Sequence, residues 1–174
     1  SVAHNHDVSE DSLLTAVQKQ TLQYFWEGAE PNSGLARERI HIDGEYPQND
    51  QNVVTIGGSG FGLMAILVGI HNEFISKAEG FAHLQKSLNF LGKIDRFQGA
   101  WSHWYFGDTG KAKAFSANDD GGDIVETAFM AEALICIREF YKNGSPEEQK
   151  LAAQADELWK GINWDFYRNG KDLL

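Results

Sequence analysis

Two stretches of this sequence are apolar on every side of a helix, and each lies between stretches that are apolar on one side only. The first, over about 58–71, carries Phe61, Leu63, Met64, Ala65, Ile66, Leu67, Val68 and Ile70. The second follows Asp123, with Val125, Phe129, Ala133, Ile137 and Phe140 at three- and four-residue steps. A helix that is apolar all round has to be covered all round. The flanking stretches are amphipathic. One spans about 13–28, capped by Ser12, with Leu14, Val17, Thr21, Tyr24 and Phe25 on one face. The next starts at the Ser76 cap, has Glu79 three residues on, and runs to about residue 95 through Phe81, Leu84, Leu88, Leu91 and Ile94. The last starts at Ser145, with Pro146 at its first position, and continues to about 159 through Leu151, Ala155 and Leu158. Amphipathic and fully apolar helices in alternation fit a toroid of helical hairpins, with an inner ring buried on both sides and an outer ring half exposed. The expected fold is therefore all-α. No segment reads as a firm strand; Val53-Val54-Thr55-Ile56 comes nearest.

The bulk properties narrow the function. At 174 residues the chain is long enough for one domain with a real core. A polar segment over 1–10 is expected to be loose, with the domain occupying 11–174. The opening, from Ser1 to Asp7, reads as a mature terminus left after processing. A net charge of −10 with no basic stripe argues against nucleic acid as a partner. The longest apolar run is too short and too glycine-rich for a membrane span. The single cysteine, Cys136, lies within an apolar helix and reads as a small core residue, and it can form no internal disulfide.

Chemistry concentrates at Asn118-Asp119-Asp120-Gly121-Gly122-Asp123-Ile124-Val125-Glu126. Asp119 or Asp120 is the natural N-cap of the helix that follows, and an acidic first turn suits the helix dipole. With the helix starting near Asp119, about 100° per residue brings Asp123 and Glu126 close to the azimuth of Asp119. Three carboxylates would then share one end of one face. Capping alone explains Asp119 and Asp120, but it explains Glu126 poorly, since that residue is already among apolar neighbours. A carboxylate there is exposed, paired, or facing a polar cleft where it can act as an acid or base. Clustered carboxylates raise at least one proton affinity, as a general acid requires. The spacing leaves open which residue is acid and which is base. A calcium site from Asn118, Asp119, Asp120 and Asp123 is the other chemistry open to such residues, although EF-hand spacing is absent.

Two long irregular stretches, 29–55 and 96–118, precede the two apolar helices. Loops of that length are often functional. The first carries Arg37, Glu38, Arg39, His41 and Asp43; the second carries Trp101, His103, Trp104, Tyr105 and Phe106. Trp101, Trp104 and Phe115 read equally as flat apolar surfaces for a ligand and as residues anchoring the loop to the core. His103 reads as a hydroxyl partner or as structural. Arg37 and Arg39 read as carboxylate-orienting, ligand-contacting or plain surface groups. The glycines in Thr55-Ile56-Gly57-Gly58-Ser59-Gly60-Phe61-Gly62 lack the Gly-Lys-Ser/Thr ending of a phosphate loop and read as permitting close helix packing.

Several strings together resemble the bacterial glucoamylase-like family, which includes the endo-β-1,2-glucanases of glycoside hydrolase family 144. They are Gln20-Thr21-Leu22-Gln23-Tyr24-Phe25-Trp26, Ser33-Gly34-Leu35-Ala36-Arg37-Glu38-Arg39, Val54-Thr55-Ile56-Gly57-Gly58-Ser59-Gly60-Phe61-Gly62, Gly99-Ala100-Trp101-Ser102-His103-Trp104 and the acidic string from Asp119 to Phe129. A related module occurs in cyclic β-1,2-glucan synthases. The resemblance implies an (α/α) six-hairpin barrel with its cleft at the N-terminal ends of the inner helices. It implies that Asp119, Asp123 and Glu126 are catalytic, with inversion at the anomeric carbon. Arg37, Arg39, Phe61, Trp101, His103, Trp104, Phe115 and Asp120 are the candidate substrate contacts. It implies a glucan substrate, no cofactor, no metal, and a periplasmic or secreted protein. Six hairpins need on the order of 300 residues, so only about half a barrel is expected here, the N-terminal half. The uncovered faces of such a half-barrel would favour a homodimer. The rival expectation is a carbohydrate-binding or regulatory module without catalysis.

Overall fold

The computed structural model describes residues 9–172 of the chain. The expected loose segment falls largely on residues 1–8, outside the described residues. Five long helices form two layers. The inner pair is α2 (Ile56–His71) and α4 (Ile124–Tyr141), packed side by side. Around them lie α1 (Glu10–Trp26) against α2, α3 (Lys77–Leu91) against α2 and α5, and α5 (Pro146–Lys160) against α4. A short α6 (Trp164–Arg168) follows. Inner and outer helices alternate along the chain, as the hydrophobic patterning predicts. The shared core includes Ile56, Leu63 and Ile66 of α2, Met130, Leu134 and Ile137 of α4, and Leu84, Leu88 and Leu91 of α3. The inner helices touch closely at Gly60, where a Cβ would come within 2.5 Å of the Phe129 carbonyl oxygen.

Several helix ends differ from the sequence reading. Ser9, not Ser12, caps α1 by accepting from the Ser12 amide at 3.2 Å. The helix therefore begins ahead of residue 11. Its apolar face is mostly bare, with only Leu22 buried. α3 stops at Leu91 rather than near 95, because the chain turns at Gly92 and sends Ile94 back into the core. Ser145 forms a full capping box with Glu148, as Pro146 at the next position suggests.

Strands form where none was expected. β1 (Val53–Thr55), β2 (Trp104–Phe106) and β3 (Ala112–Lys113) make an antiparallel sheet in that order. Val54 pairs with Tyr105, and Tyr105 with Ala112. The strands are only two or three residues long, and β1 and β2 pair across some fifty residues, so no local periodicity announces them. The sheet ties the two long loops together at one end of the inner pair. β1 then runs directly into α2, whose first residue, Ile56, donates its amide to the His103 carbonyl at 3.1 Å.

As expected of a part-barrel, α2 and α4 are not covered on all sides in this chain. Phe61 and Val68 on α2, and Val125, Phe129 and Phe140 on α4, are exposed. Phe61 and Phe129 meet across this open side, while Val68 borders a groove shared with Val17 and Thr21 of α1. Among the described residues no helix is long and apolar enough to cross a membrane.

Candidate active site

The acidic string folds differently from the simple helical projection. The helix begins at Ile124, and Asp123 is its N-cap. Two glycines at 121 and 122 disfavour an earlier start. Asp119 therefore precedes the helix, in an exposed turn where it pairs with Ser116, and Asp120 is exposed beside it. The expected face of three carboxylates reduces to Asp123 and Glu126. Among the described residues no group of three His, Cys, Asp or Glu side chains gathers as a metal site would need.

Both oxygens of Asp123 are engaged. Oδ1 accepts from the amides of Val125 and Glu126, each at 3.0 Å. Oδ2 lies 2.8 Å from Nδ1 of His103. With a carboxylate on Nδ1, the hydrogen-bond network assigns the proton to that nitrogen and leaves Nε2 as the acceptor of the neutral ring. The ring packs against Phe115, with centroids 4.4 Å apart, and edge-on to Trp104 at 5.2 Å. Trp104 and Phe115 are themselves 4.8 Å apart, and Lys113 lies over the Trp104 ring at 4.5 Å. His103, Trp104 and Phe115 thus form one aromatic wall beside the N-terminus of α4.

Glu126 reaches across to the other inner helix. Its Oε2 accepts from the Gly57 amide at 2.7 Å and from the Thr55 hydroxyl at 3.1 Å. A helix N-terminus favours an anionic partner, since its first amides have no acceptor within the helix. Oε1 takes part in no hydrogen bond within the described residues.

The remaining candidates divide. Trp101 is fully buried, and its indole nitrogen donates to the Leu91 carbonyl at 3.3 Å while Arg96 stacks on the ring. It anchors the loop and offers no face to a sugar. Arg37 is committed to backbone, donating to the carbonyls of Gln51, Gly28 and Ala29. It closes the first long loop and orients no carboxylate. Arg39 is paired with Glu38 and lies 3.7 Å from Asp50, neither of which is a candidate site carboxylate. Phe61 is exposed on the open side of α2, against Phe129 at 5.1 Å. Asp120 lines a cleft of about 500 Å³ with Asp95, Phe97 and Ser102.

Three buried residues that fix the long loops are not among the candidate site residues of the sequence reading. Thr127 is buried and staples the loop to α4, accepting from the Trp101 amide at 3.0 Å and donating to its carbonyl. Tyr105, pushed above its ordinary pKa by burial, donates to the Asp95 carbonyl and accepts from the Ser102 amide, both at 2.7 Å. Glu30 is buried in the first loop with four donors from Asn32 and Ser33 on its two oxygens. A polar residue at a buried helical position was the one available signal, and only Thr127 carries it.

Alternating inner and outer helices, with carboxylates and aromatics gathered at the N-terminal ends of the inner pair, define an α/α protein of glucoamylase-like architecture. Over 95% of the chain, at 56% identity and a TM-score of 0.92, it matches an endo-β-1,2-glucanase of Chitinophaga pinensis solved with sophorotriose and glucose. A β-1,2-glucanase structure from Parabacteroides distasonis matches 94% of it at 42% identity, with a TM-score of 0.85. An exo-β-1,2-glucooligosaccharide sophorohydrolase (non-reducing end) of the same species is 42% identical over 98% of the chain. No family model matches. The chain spans 40% of the Chitinophaga structure and 23% of the sophorohydrolase. Over the segment it spans, the chain is similar in sequence and in glucoamylase-like fold to these proteins.

Proposed function

We propose that the protein carrying this segment hydrolyses β-1,2-linked glucan, with Glu126 in a direct proton-transfer role. The observation behind this reading is the asymmetry of the Glu126 carboxylate. One oxygen is held by the α2 N-terminus and the other is left uncommitted. A group that transfers a proton needs both a fixed position and a free oxygen. Asp123 lacks the second of these, so it serves by capping α4 and holding His103. Through Nε2, His103 is placed to hydrogen-bond a sugar hydroxyl, with Trp104 and Phe115 beside it as stacking surfaces. Asp119, in the exposed turn before the helix, is the candidate for the second carboxylate of an inverting pair. The named activities of the similar proteins support the linkage.

Product analysis of the intact protein tests this. Oligosaccharides released from β-1,2-glucan, none from starch, and an inverted anomer at first turnover are expected. Binding of β-1,2-glucan without release of reducing ends would establish the non-catalytic alternative instead.

A further inference from the structure

We infer that Thr55 and Gly57 are positioning residues for Glu126, and that Oε1 is its working oxygen. This rests on the reading of Glu126 as the proton-transfer carboxylate. The Gly57 amide is in the first turn of α2, where no carbonyl of the helix can accept from it. The Glu126 carboxylate supplies that acceptor from α4. Thr55, the residue before α2, adds a second donor to the same oxygen. Thr55 is itself fixed. Its amide donates to the Ala36 carbonyl, and its carbonyl accepts from the buried Ser59 hydroxyl, which in turn accepts from the Ala36 amide. The carboxylate is therefore clamped through backbone, and Oε2 is used up.

The absence of a side chain at residue 57 is what makes room for this. A Cβ there would come within 2.6 Å of Oε2, 2.8 Å of Cδ and 2.9 Å of Oε1. All three atoms are at the far end of a flexible side chain. Gly57→Ala therefore moves the carboxylate rather than the backbone, so it leaves the fold standing and removes the geometry. A displacement of that order costs about a hundredfold in rate when the group acts on the reacting atoms.

The experiment compares kcat, KM and melting temperature on β-1,2-glucan for Gly57→Ala, Thr55→Val, Thr55→Ser and Glu126→Gln in the intact protein. Leu88→Ala, a core truncation in α3 remote from the clamp, shows what destabilisation alone does. Gly57→Ala is expected to lower kcat about a hundredfold with KM and melting temperature little changed. Thr55→Val is expected to lower kcat roughly tenfold, and Thr55→Ser to restore it. Leu88→Ala should lower the melting temperature and leave kcat alone. Amide hydrogen exchange at Gly57 gives a readout independent of activity, and it should accelerate in Glu126→Ala. Wild-type kcat in Gly57→Ala beside an inactive Glu126→Gln would overturn the clamp and leave the proposed function standing. Full activity in Glu126→Gln would overturn the role of Glu126, and the clamp with it. Unchanged exchange at Gly57 in Glu126→Ala would overturn the clamp whatever the kinetics.

Discussion

Trp101 and Trp104 are separated by two residues and by opposite fates. Trp101 is buried to its last atom, whereas Trp104 stands half-exposed in the aromatic wall. Trp101→Ala should therefore cost about 3–5 kcal/mol of stability, as large core truncations do. Trp104→Ala should leave the melting temperature nearly unchanged and weaken glucan binding. Thermal melts and a glucan titration on both variants distinguish the two roles; a large loss of melting temperature with unchanged affinity in Trp104→Ala would make that residue core as well. Asp123 differs again, because its carboxylate both caps a helix and holds a histidine. Asp123→Asn keeps an oxygen for the amides of Val125 and Glu126 but loses the charge facing His103. Its circular dichroism should match the wild type while release of reducing ends from β-1,2-glucan falls sharply.

Among the elements, α5 is the most self-sufficient. Its capping box satisfies two backbone donors at once, so Ser145→Ala should cost about 1 kcal/mol, read as a lower denaturation midpoint at unchanged slope. On its flank Asp156 accepts from Arg138 of α4 and from Lys160 and Trp159 of its own helix. Lys160 foremost, then Arg138, lower its pKa from 3.8 to about 2. A carboxylate whose folded pKa is depressed contributes stability above its unfolded pKa and loses it as pH falls through the folded value. The contribution is thus complete above about pH 4 and gone near pH 2. The stability difference between wild type and Asp156→Asn should shrink across that window, and a difference that holds constant from pH 5 to 2 would remove Asp156 from the account.

For the molecule as a whole, the open side of the inner layer dominates. Phe61, Val68, Val125, Phe129 and Phe140 are exposed, and so are Leu13, Leu14 and Val17 of α1. The chain exposes 10511 Å², where a compact monomer of 19.4 kDa exposes about 8,500 Å². Covering even about 500 Å² of apolar surface is worth roughly 12 kcal/mol before the costs of association. We therefore propose that the 174-residue chain expressed by itself self-associates through this side. Light scattering should show a species larger than a monomer, and Phe61→Glu with Phe129→Glu should return it toward one. A monodisperse monomer for the unaltered chain would show that the open side is tolerated in water.

What the sequence alone determined is what local spacing encodes. The five long helices, their inner and outer roles, and the caps at Ser76 and Ser145 are legible because helical periodicity and capping act over three or four residues. The unusual setting of Glu126 is legible too, since a carboxylate among apolar neighbours needs a reason. Tertiary structure decided the rest. The start of α4 depended on Asp123 meeting both its own helix and His103, twenty residues away. The pairing of β1 with β2 spans some fifty residues, and the sorting of Trp101 from Trp104 depended on which way a loop was pulled by Thr127. Above all, the grip on Glu126 comes from residues 69 and 71 positions earlier. No periodicity spans such a separation, so only packing α2 against α4 brings carboxylate and amide together.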